Sequence, residues 1–353
     1  MALPLPPGSA LWRIAAGPDG RVWIATLGHS PYWNGEKTVP NPAPIDGLLL
    51  FEDGQWTFFP LGQAGMPKQR VQKMACDWTG ALWLSMDWET LCRFDGKTMD
   101  VFHTSNRGLP SHAEWGFDRG FVSGGSNFLL VLEWPGVYRF NGATWEYITA
   151  RSNEFKIEAG GSVVTSAAVD SVGRTWVAVS DPDYTRFLRS DGEHWEEIAR
   201  VPVGYNKYEA RPMIVDKGGR LWVAWQQRLE SQNMLGLWAF NPVTRQWNQY
   251  NSRNSSLPDH DIQSLALDQL GRVWIGTRDG ISVFNSGESR CWTAVIPSVP
   301  SHPLRRKVST RGWNREKFLR YKRVNTSATV DSARHIWTHS DFGVCVFSEM
   351  QRD

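Results

Sequence analysis

Cysteine is scarce. Four occur among 353 residues (Cys76, Cys92, Cys291, Cys345), none in a CxxC spacing, which argues against a zinc site and a disulfide framework. No stretch approaches the roughly 18 consecutive apolar residues of a membrane span. An excess of charge of one sign is also missing, with 38 Lys+Arg against 36 Asp+Glu. The N-terminal stretch MALPLPPGSALWRI has no basic residue before Arg13 and no long apolar run, so it does not read as a secretory signal. These absences lead to the expectation of a soluble protein of the cytoplasm. No GxSxG, HExxH, GxGxxG or P-loop sequence occurs, so hydrolase, zincin and nucleotide chemistry lack their usual carriers. The eight His are scattered, and the nearest pair, His335 and His339, stands four apart. In a strand that separation is about 13 Å, too far to share a metal. Asp181-Pro-Asp183 lacks the later Gly and Glu of a calcium loop. No cofactor, no metal and no enzymatic activity are expected.

Tryptophan is abundant instead, with 20 residues beside 32 Gly and 20 Pro. That composition points to many short strands joined by turns. Internal repetition confirms the pattern. Residues 268–280 read DQLGRVWIGTRDG, and related copies are GPDGRVWIAT (17–26), DWTGALWLSM (77–86), DSVGRTWVAV (170–179) and DKGGRLWVAW (216–225). A worn copy, DSARHIWTHS, spans 331–340. About ten residues after each central Trp comes an aromatic-ended strand and a turn, often followed by another Trp (Trp56, Trp195, Trp247, Trp292).

The central residues are Trp23, Trp83, Trp176, Trp222, Trp274 and Trp337. The double-length gap from Trp83 to Trp176 hides a further copy, GVYRFNGATW (136–145), whose Trp position falls on Leu130. Seven copies result, at spacings of 60, 47, 46, 46, 52 and 63 residues. Each copy parses into four strands. In the sixth these are Ile262–Leu267, 272–277, 281–284 and 291–295, with a tight Asp-to-Gly turn after the first. There Asp accepts from nearby backbone N–H groups and Gly supplies a positive φ. The second strand is apolar on both faces, as expected of a small sheet sandwiched between neighbours. A Trp buries roughly 150–250 Å², so one per copy fills the wedge between splayed sheets as core.

The expected fold is therefore all-β, a seven-bladed β-propeller of four-stranded antiparallel blades occupying residues 1–353 as one domain. A basic insert at about 297–325 separates blades 6 and 7. The last copy stops after its third strand, and residues 2–6 are expected to supply its outer strand, an edge position that tolerates their prolines. Cys76 and Cys92 fall on the first and third strands of blade 2, about 10 Å apart, beyond the roughly 7 Å limit of a disulfide. They are expected to be free and buried.

NSSLPDHDIQSLALDQLGRVWIGTRDGISVFN (254–285) resembles the two-component-regulator propeller repeat, found in sensor regions of bacterial hybrid histidine kinases and in stand-alone proteins. The likeness extends as blades over nearly the whole chain, with departures at Leu130 and Arg334. It implies ligand sensing or protein docking. A weaker likeness links GPDGRVW (17–23) to the repeat of streptogramin lyases, which implies a metal-dependent lyase as a third reading. The aromatic-Thr-Glu ending of that repeat is missing, and only His29, His103 and Glu89 stand as candidates for its His and acid.

Function on a propeller sits on loops carried by the scaffold. Second-to-third-strand loops and blade-to-blade linkers share one face, and there the copies differ most. Blade 1 offers Tyr32 and Trp33, blade 2 Asp87, Trp88 and Glu89, and blade 4 Asp181, Asp183, Tyr184 and Arg186. Blade 5 adds Arg228 and Glu230, and blade 6 Arg278 and Asp279. Of these, Tyr32, Trp33, Trp88, Tyr184, Arg228 and Arg278 are the expected ligand contacts for a glycan or other small molecule at the channel mouth. The segment 302–323 gathers nine basic residues, Arg305, Arg306, Lys307, Arg311, Arg315, Lys317, Arg320, Lys322 and Arg323, against one acid, Glu316. Interleaved with Trp313, Phe318 and Tyr321, it suits a protein partner, or a nucleic acid or other polyanion. The first expectation is a non-catalytic recognition or scaffold propeller, a subunit of a bacterial assembly or signalling system, that docks a protein through its loop-rich face and this insert.

Overall fold

A computed structural model describes residues 9–28, 32–33, 38–39, 46–63, 65–86, 90–103, 120–124, 127–132, 136–148, 162–202, 208–227, 236–255, 257–268, 270–277, 280–284, 291–294, 327–330, 336–340 and 343–347. Among these the regular structure is strand throughout. Blade 1 pairs Ser9–Ala16, Val22–Gly28, Gly47–Glu52 and Gln55–Pro60; blade 2 pairs Lys73–Cys76, Leu82–Ser85, Thr90–Phe94 and Met99–His103. Blade 3 is Gly120–Gly124, Phe128–Leu132, Val137–Phe140 and Trp145–Tyr147, and blade 4 is Val163–Val169, Thr175–Ser180, Thr185–Ser190 and Trp195–Val201. Blade 5 is Tyr208–Val215, Leu221–Gln227, Gly236–Asn241 and Gln246–Tyr250, and blade 6 is Ile262–Leu267, Val273–Thr277, Gly280–Phe284 and Cys291–Ala294. All pairings are antiparallel between strands consecutive in their blade. The architecture is a β-propeller, as the repeat predicts.

Among the described residues the seven four-stranded blades expected are corrected to six. The seventh copy forms a three-stranded sheet, Ser327–Val330, Ile336–Ser340 and Gly343–Phe347. The strand assigned to residues 2–6 lies outside the described residues. The first strands pack on one another in chain order, and Ser327–Val330 packs on Ser9–Ala16.

One register runs through every sheet. In six sheets the residue before the central position pairs with a Phe at or next to the end of the third strand: Val22 with Phe51, Leu82 with Phe94, Leu129 with Phe140, Leu221 with Phe240, Val273 with Phe284, and Ile336 with Phe347. Leu130 sits opposite Arg139, as Trp83 sits opposite Arg93, so Leu130 does hold the Trp position of blade 3. The second strands are buried on both faces, as expected.

The central Trp of blades 1, 2 and 5 packs on the following blade. Trp23 meets Leu82, Leu84 and Phe94; Trp83 meets Leu129, Val131 and Phe140; Trp222 meets Val273, Ile275 and Phe284. Trp23, Trp83 and Trp222 are fully buried. Each sets its ring at a steep angle to the next blade's strand-ending Phe, with centroids 5.4, 5.1 and 4.7 Å apart. Burying one such indole contributes at most about 4–6 kcal/mol. This is the wedge that holds the blades apart at the rim and together at the core.

A polar clasp fixes the same indoles. The carboxylate six residues before the Trp accepts from its Nε1: Asp77 from Trp83 at 2.9 Å, Asp170 from Trp176 at 3.1 Å, Asp216 from Trp222 at 2.8 Å and Asp268 from Trp274 at 2.8 Å. The other carboxylate oxygen accepts backbone N–H groups of the turn, as from Val172 and Arg174 in blade 4. All four Asp are buried. Blade 1 has Gly17 at this position, and Trp23 Nε1 is accordingly buried without an acceptor. Cys76 and Cys92 are both buried and free, as the strand spacing predicts.

Candidate functional site

The hairpins after the first and third strands share one face and are short. Turns such as 77–80, 170–173 and 216–219 close with a Gly N–H donating to the Asp carbonyl at 2.9–3.0 Å. The second-to-third-strand connections and the blade-to-blade linkers leave from the opposite strand ends, as 181–184 and 61–72 do among the described residues. Those ends mark the face on which the sequence places its candidates.

Blade 4 is the best described part of that face. Asp181 and Arg186, which the sequence places among the polar residues of the blade 4 loop, are both buried. Arg186 Nε donates to Asp181 Oδ2 at 3.0 Å, and Ser162 Oγ donates to Asp181 Oδ1. The backbone closes the loop beside them, Asp181 N donating to the Tyr184 carbonyl at 2.8 Å. Below, the Ser180 and Thr185 hydroxyls, also buried, share a hydrogen bond of 2.9 Å. A buried carboxylate demands a partner, and Arg186, five residues on in the next strand, supplies it. The pair ties the second and third strands together at the mouth. Its carboxylate oxygens are engaged inward, which removes the faint calcium-loop reading. Asp183 remains exposed.

Tyr184 is the expected ligand contact whose side chain is described. It is half-buried, and the Arg200 guanidinium lies over its ring, 4.5 Å from the centroid. Arg200 is itself held by a fork to Glu197, with both bonds at 2.8 Å. That fork, helped by the Coulombic attraction of Arg200, holds the Glu197 carboxyl below its usual range despite some desolvation. One face of Tyr184 is therefore occupied from within the chain. Tyr32 and Trp33 form a two-residue strand paired with Thr38–Val39. Trp88, Arg228 and Arg278 lie outside the described residues, as do Arg305, Arg306, Lys307, Arg311, Arg315, Lys317, Arg320, Lys322 and Arg323. So do His29, Glu89 and His335.

The linkers that are described brace neighbouring blades. Trp12 Nε1 donates to the Val71 carbonyl at 3.0 Å, joining blade 1 to the 61–72 linker. Asp46 Oδ1 accepts from Gly28 N at 2.7 Å, pinning the two ends of the blade 1 loop. Among the described residues no cluster of three or more His, Cys, Asp or Glu is arranged to hold a metal ion.

The sequence reading missed a groove between blades 3 and 4, away from the loop-bearing face. It encloses about 180 Å³ and is lined by Arg139, Glu146, Ile148, Thr175, Ser190, Gly192, Glu193 and Trp195. Its cause is local. Blade 4 has Ser190 where the third strands of the other sheets have Phe, and pairs it with Thr175 where the others have an apolar residue. The central residue of the preceding blade is Leu130 in place of Trp. Aligning the copies strand end by strand end would have exposed all three departures together.

The model of the two component regulator propeller family matches residues 256–279. No curated protein matches the chain. Among solved structures it is similar to two extracellular domains of hybrid two-component systems from B. thetaiotaomicron. These are BT3049 (16% identity, TM-score 0.60) and BT4673 (14%, 0.59). The alignments cover 99% and 96% of this chain but 40% and 38% of those chains. A virginiamycin B lyase from Staphylococcus aureus is similar at 10% identity and a TM-score of 0.58, covering 96% of this chain and 94% of the lyase. At these identities the likeness shows the fold alone. Two of the three are extracellular domains, so the neighbours give no support to the expected cytoplasmic placement. Among the described residues no helix is long and apolar enough to cross a membrane. The chain is an all-β propeller in which residues 256–279 match the two component regulator propeller model.

Proposed function

We propose that this chain is a non-catalytic recognition and scaffold propeller that docks a protein partner through its loop-bearing face and the basic segment 302–323, as a subunit of a bacterial assembly or signalling system. The observation that carries the reading is the contrast between the two faces. Short, self-satisfied Asp-to-Gly hairpins close one side, while the other carries long connections that differ from copy to copy on a scaffold locked by buried indoles. Rigid scaffold with variable loops is the arrangement on which binding residues collect. Two propellers of similar fold are consistent with it. YCF48, similar at 12% identity and a TM-score of 0.54, is solved bound to a D1 peptide. PorZ of Porphyromonas gingivalis, similar at 16% and 0.54, is a surface component of the type-IX secretion system.

A glycan or other small molecule at the channel mouth is a weaker reading, because Tyr184 is already covered by Arg200 and Asp181 and Arg186 face inward. The lyase reading has a fold in its favour and no assembled His and acid among the described residues. Capture of partners from the native host, with the whole chain and with residues 302–323 deleted, tests the proposal. Loss of every partner on deletion supports docking through the basic segment. Partners that persist unchanged refute that part of it.

A further inference from the structure

We propose that the Asn141-Gly142 turn of blade 3 is a modification site, at which the Asn141 amide is converted to a carboxylate through attack by the following backbone nitrogen. Blades 2, 3 and 4 join their third and fourth strands by the same turn. It spans 95–98, 141–144 and 191–194, between the paired ends Phe94 and Met99, Phe140 and Trp145, and Ser190 and Trp195. In each turn the first side chain folds back and accepts two backbone N–H groups. Asp95 Oδ1 accepts from Lys97 and Thr98, both at 2.7 Å, and Asp191 Oδ1 from Glu193 and His194, both at 3.0 Å. Asn141 Oδ1 accepts from Ala143 at 3.0 Å and Thr144 at 2.8 Å. A Gly follows each time, at φ of 100, 100 and 111° for Gly96, Gly142 and Gly192. Blade 3 thus holds an amide where two neighbouring copies of the turn hold an acid.

The conversion needs an accessible amide, a nitrogen free to attack and no side chain in its way. Residues 141–144 are all exposed. Gly142 N–H has no acceptor among the described residues, and the residue has no Cβ to crowd the approach. Deprotonated, this nitrogen bonds to Asn141 Cγ; the bond from Cγ to the amide nitrogen breaks, ammonia leaves with a proton, and a succinimide remains. Water then opens the ring to a carboxylate, so amide and water give acid and ammonia with no further reactant. Negative charge develops on Oδ1 during the attack, and the Ala143 and Thr144 N–H groups already point at that atom, as the donors of an oxyanion hole do. The turn is also made for the product. In blade 2 the Thr98 and Lys97 N–H groups hold the Asp95 carboxyl below its usual range, and in blade 4 those of His194 and Glu193 do the same for Asp191. A carboxylate accepts such bonds more strongly than an amide. The turn lies on the face of short hairpins, so the inference stands apart from the docking function proposed above.

Peptide mapping by mass spectrometry tests it on the whole chain, incubated folded at mildly alkaline pH, by reading acid against amide at position 141 over time. The expected result is conversion in the folded chain at a rate equal to or above that of the same chain unfolded in urea. Asn141→Gln keeps an amide on a side chain that closes the ring poorly, and should lose the conversion at this position. Asn141→Asp supplies the product directly and should melt at or above the native temperature at neutral pH. A depressed folded pKa for the new carboxyl means that any gain is present above the unfolded value of about 4 and is lost as pH falls through the folded one. No conversion at Asn141, or a folded rate below the unfolded one, shows that the turn protects its amide and overturns the proposal. A lower melting temperature for Asn141→Asp at neutral pH overturns the claim that the turn is made for the acid.

Discussion

Replacing Asp77 by Asn keeps the shape of the blade 2 turn and removes its charge. Five donors converge on the carboxylate. Oδ1 accepts from Thr79 N at 2.8 Å, Thr79 Oγ1 at 2.6 Å and Ala81 N at 3.1 Å, and Oδ2 from Trp83 Nε1 at 2.9 Å and Arg93 Nε at 3.0 Å. An Asn has one acceptor oxygen. If it stays on the turn, its amide N–H groups face the indole and the guanidinium, donor against donor. A lost hydrogen bond to a charged group costs about 1.5–3 kcal/mol, and removing one partner of a buried ion pair about 3–5. Arg93 is a quarter exposed, so water recovers part of its share and about 3 kcal/mol is expected in total. Against a total stability of roughly 5–15 kcal/mol, the urea midpoint should fall by a fifth or more. Urea unfolding followed by tryptophan fluorescence reads it. The control is Trp23→Phe beside Trp83→Phe: only the second removes a clasped donor, so it should cost about 1–2 kcal/mol more than the first. An Asp77→Asn loss below about 1 kcal/mol, or equal costs for the two Trp variants, would refute the clasp as a source of stability.

Other outcomes follow from the same geometry. Burial pushes the Asp77 and Asp170 carboxyls up, but hydrogen bonds from the turn, the indole and an Arg outweigh it and hold both below the usual range. A depressed folded value means their contribution is intact above the unfolded value of about 4 and is lost as pH falls through the folded one. Asp77→Asn should therefore flatten the acid limb of the stability profile. Gly17→Asp needs Asp19→Ser beside it, since a Cβ at position 17 would lie 2.5 Å from Asp19 Oδ1. The pair should supply Trp23 Nε1 with its missing acceptor and raise stability by about 1–2 kcal/mol. Gly142→Ala and Gly192→Ala both force an L side chain to φ near 100–111°, but only the first meets a neighbour, Trp78 Cζ2 at 3.2 Å. Gly142→Ala should lower the melting temperature further. Deleting residues 1–8 should lower it too if they complete the last sheet, and an unchanged value contradicts that closure.

The ring was legible because its signal is redundant. Each Trp recurs with the same apolar flanks and the same Asp-to-Gly turn, so even Leu130 was located by counting, and its register proved that of Trp83. The turn role of Asp was equally readable. Its second role was not: a separation of six residues does not say that the strand's twist returns the indole N–H to the spare oxygen. At the mouth, local polarity misled. Asp181-Pro-Asp183-Tyr184 reads as a solvated loop, yet Arg186, five residues on in the third strand, and Ser162, just before the first, draw Asp181 inside. Pairing of that kind leaves no periodic trace. The blade 3–4 groove lay hidden for the opposite reason, as a residue type missing at one strand end and noticed only when Ser190 and Thr175 are set beside their counterparts.

Hydrogen exchange of the indole N–H groups, resolved by ¹⁵N NMR and assigned with single Trp→Phe variants, tests the central claim that clasped indoles lock the blades into a rigid scaffold. Trp83, Trp176, Trp222 and Trp274 should keep their protons far longer than free tryptophan does. Exchange of these four at the rate of free tryptophan would contradict it.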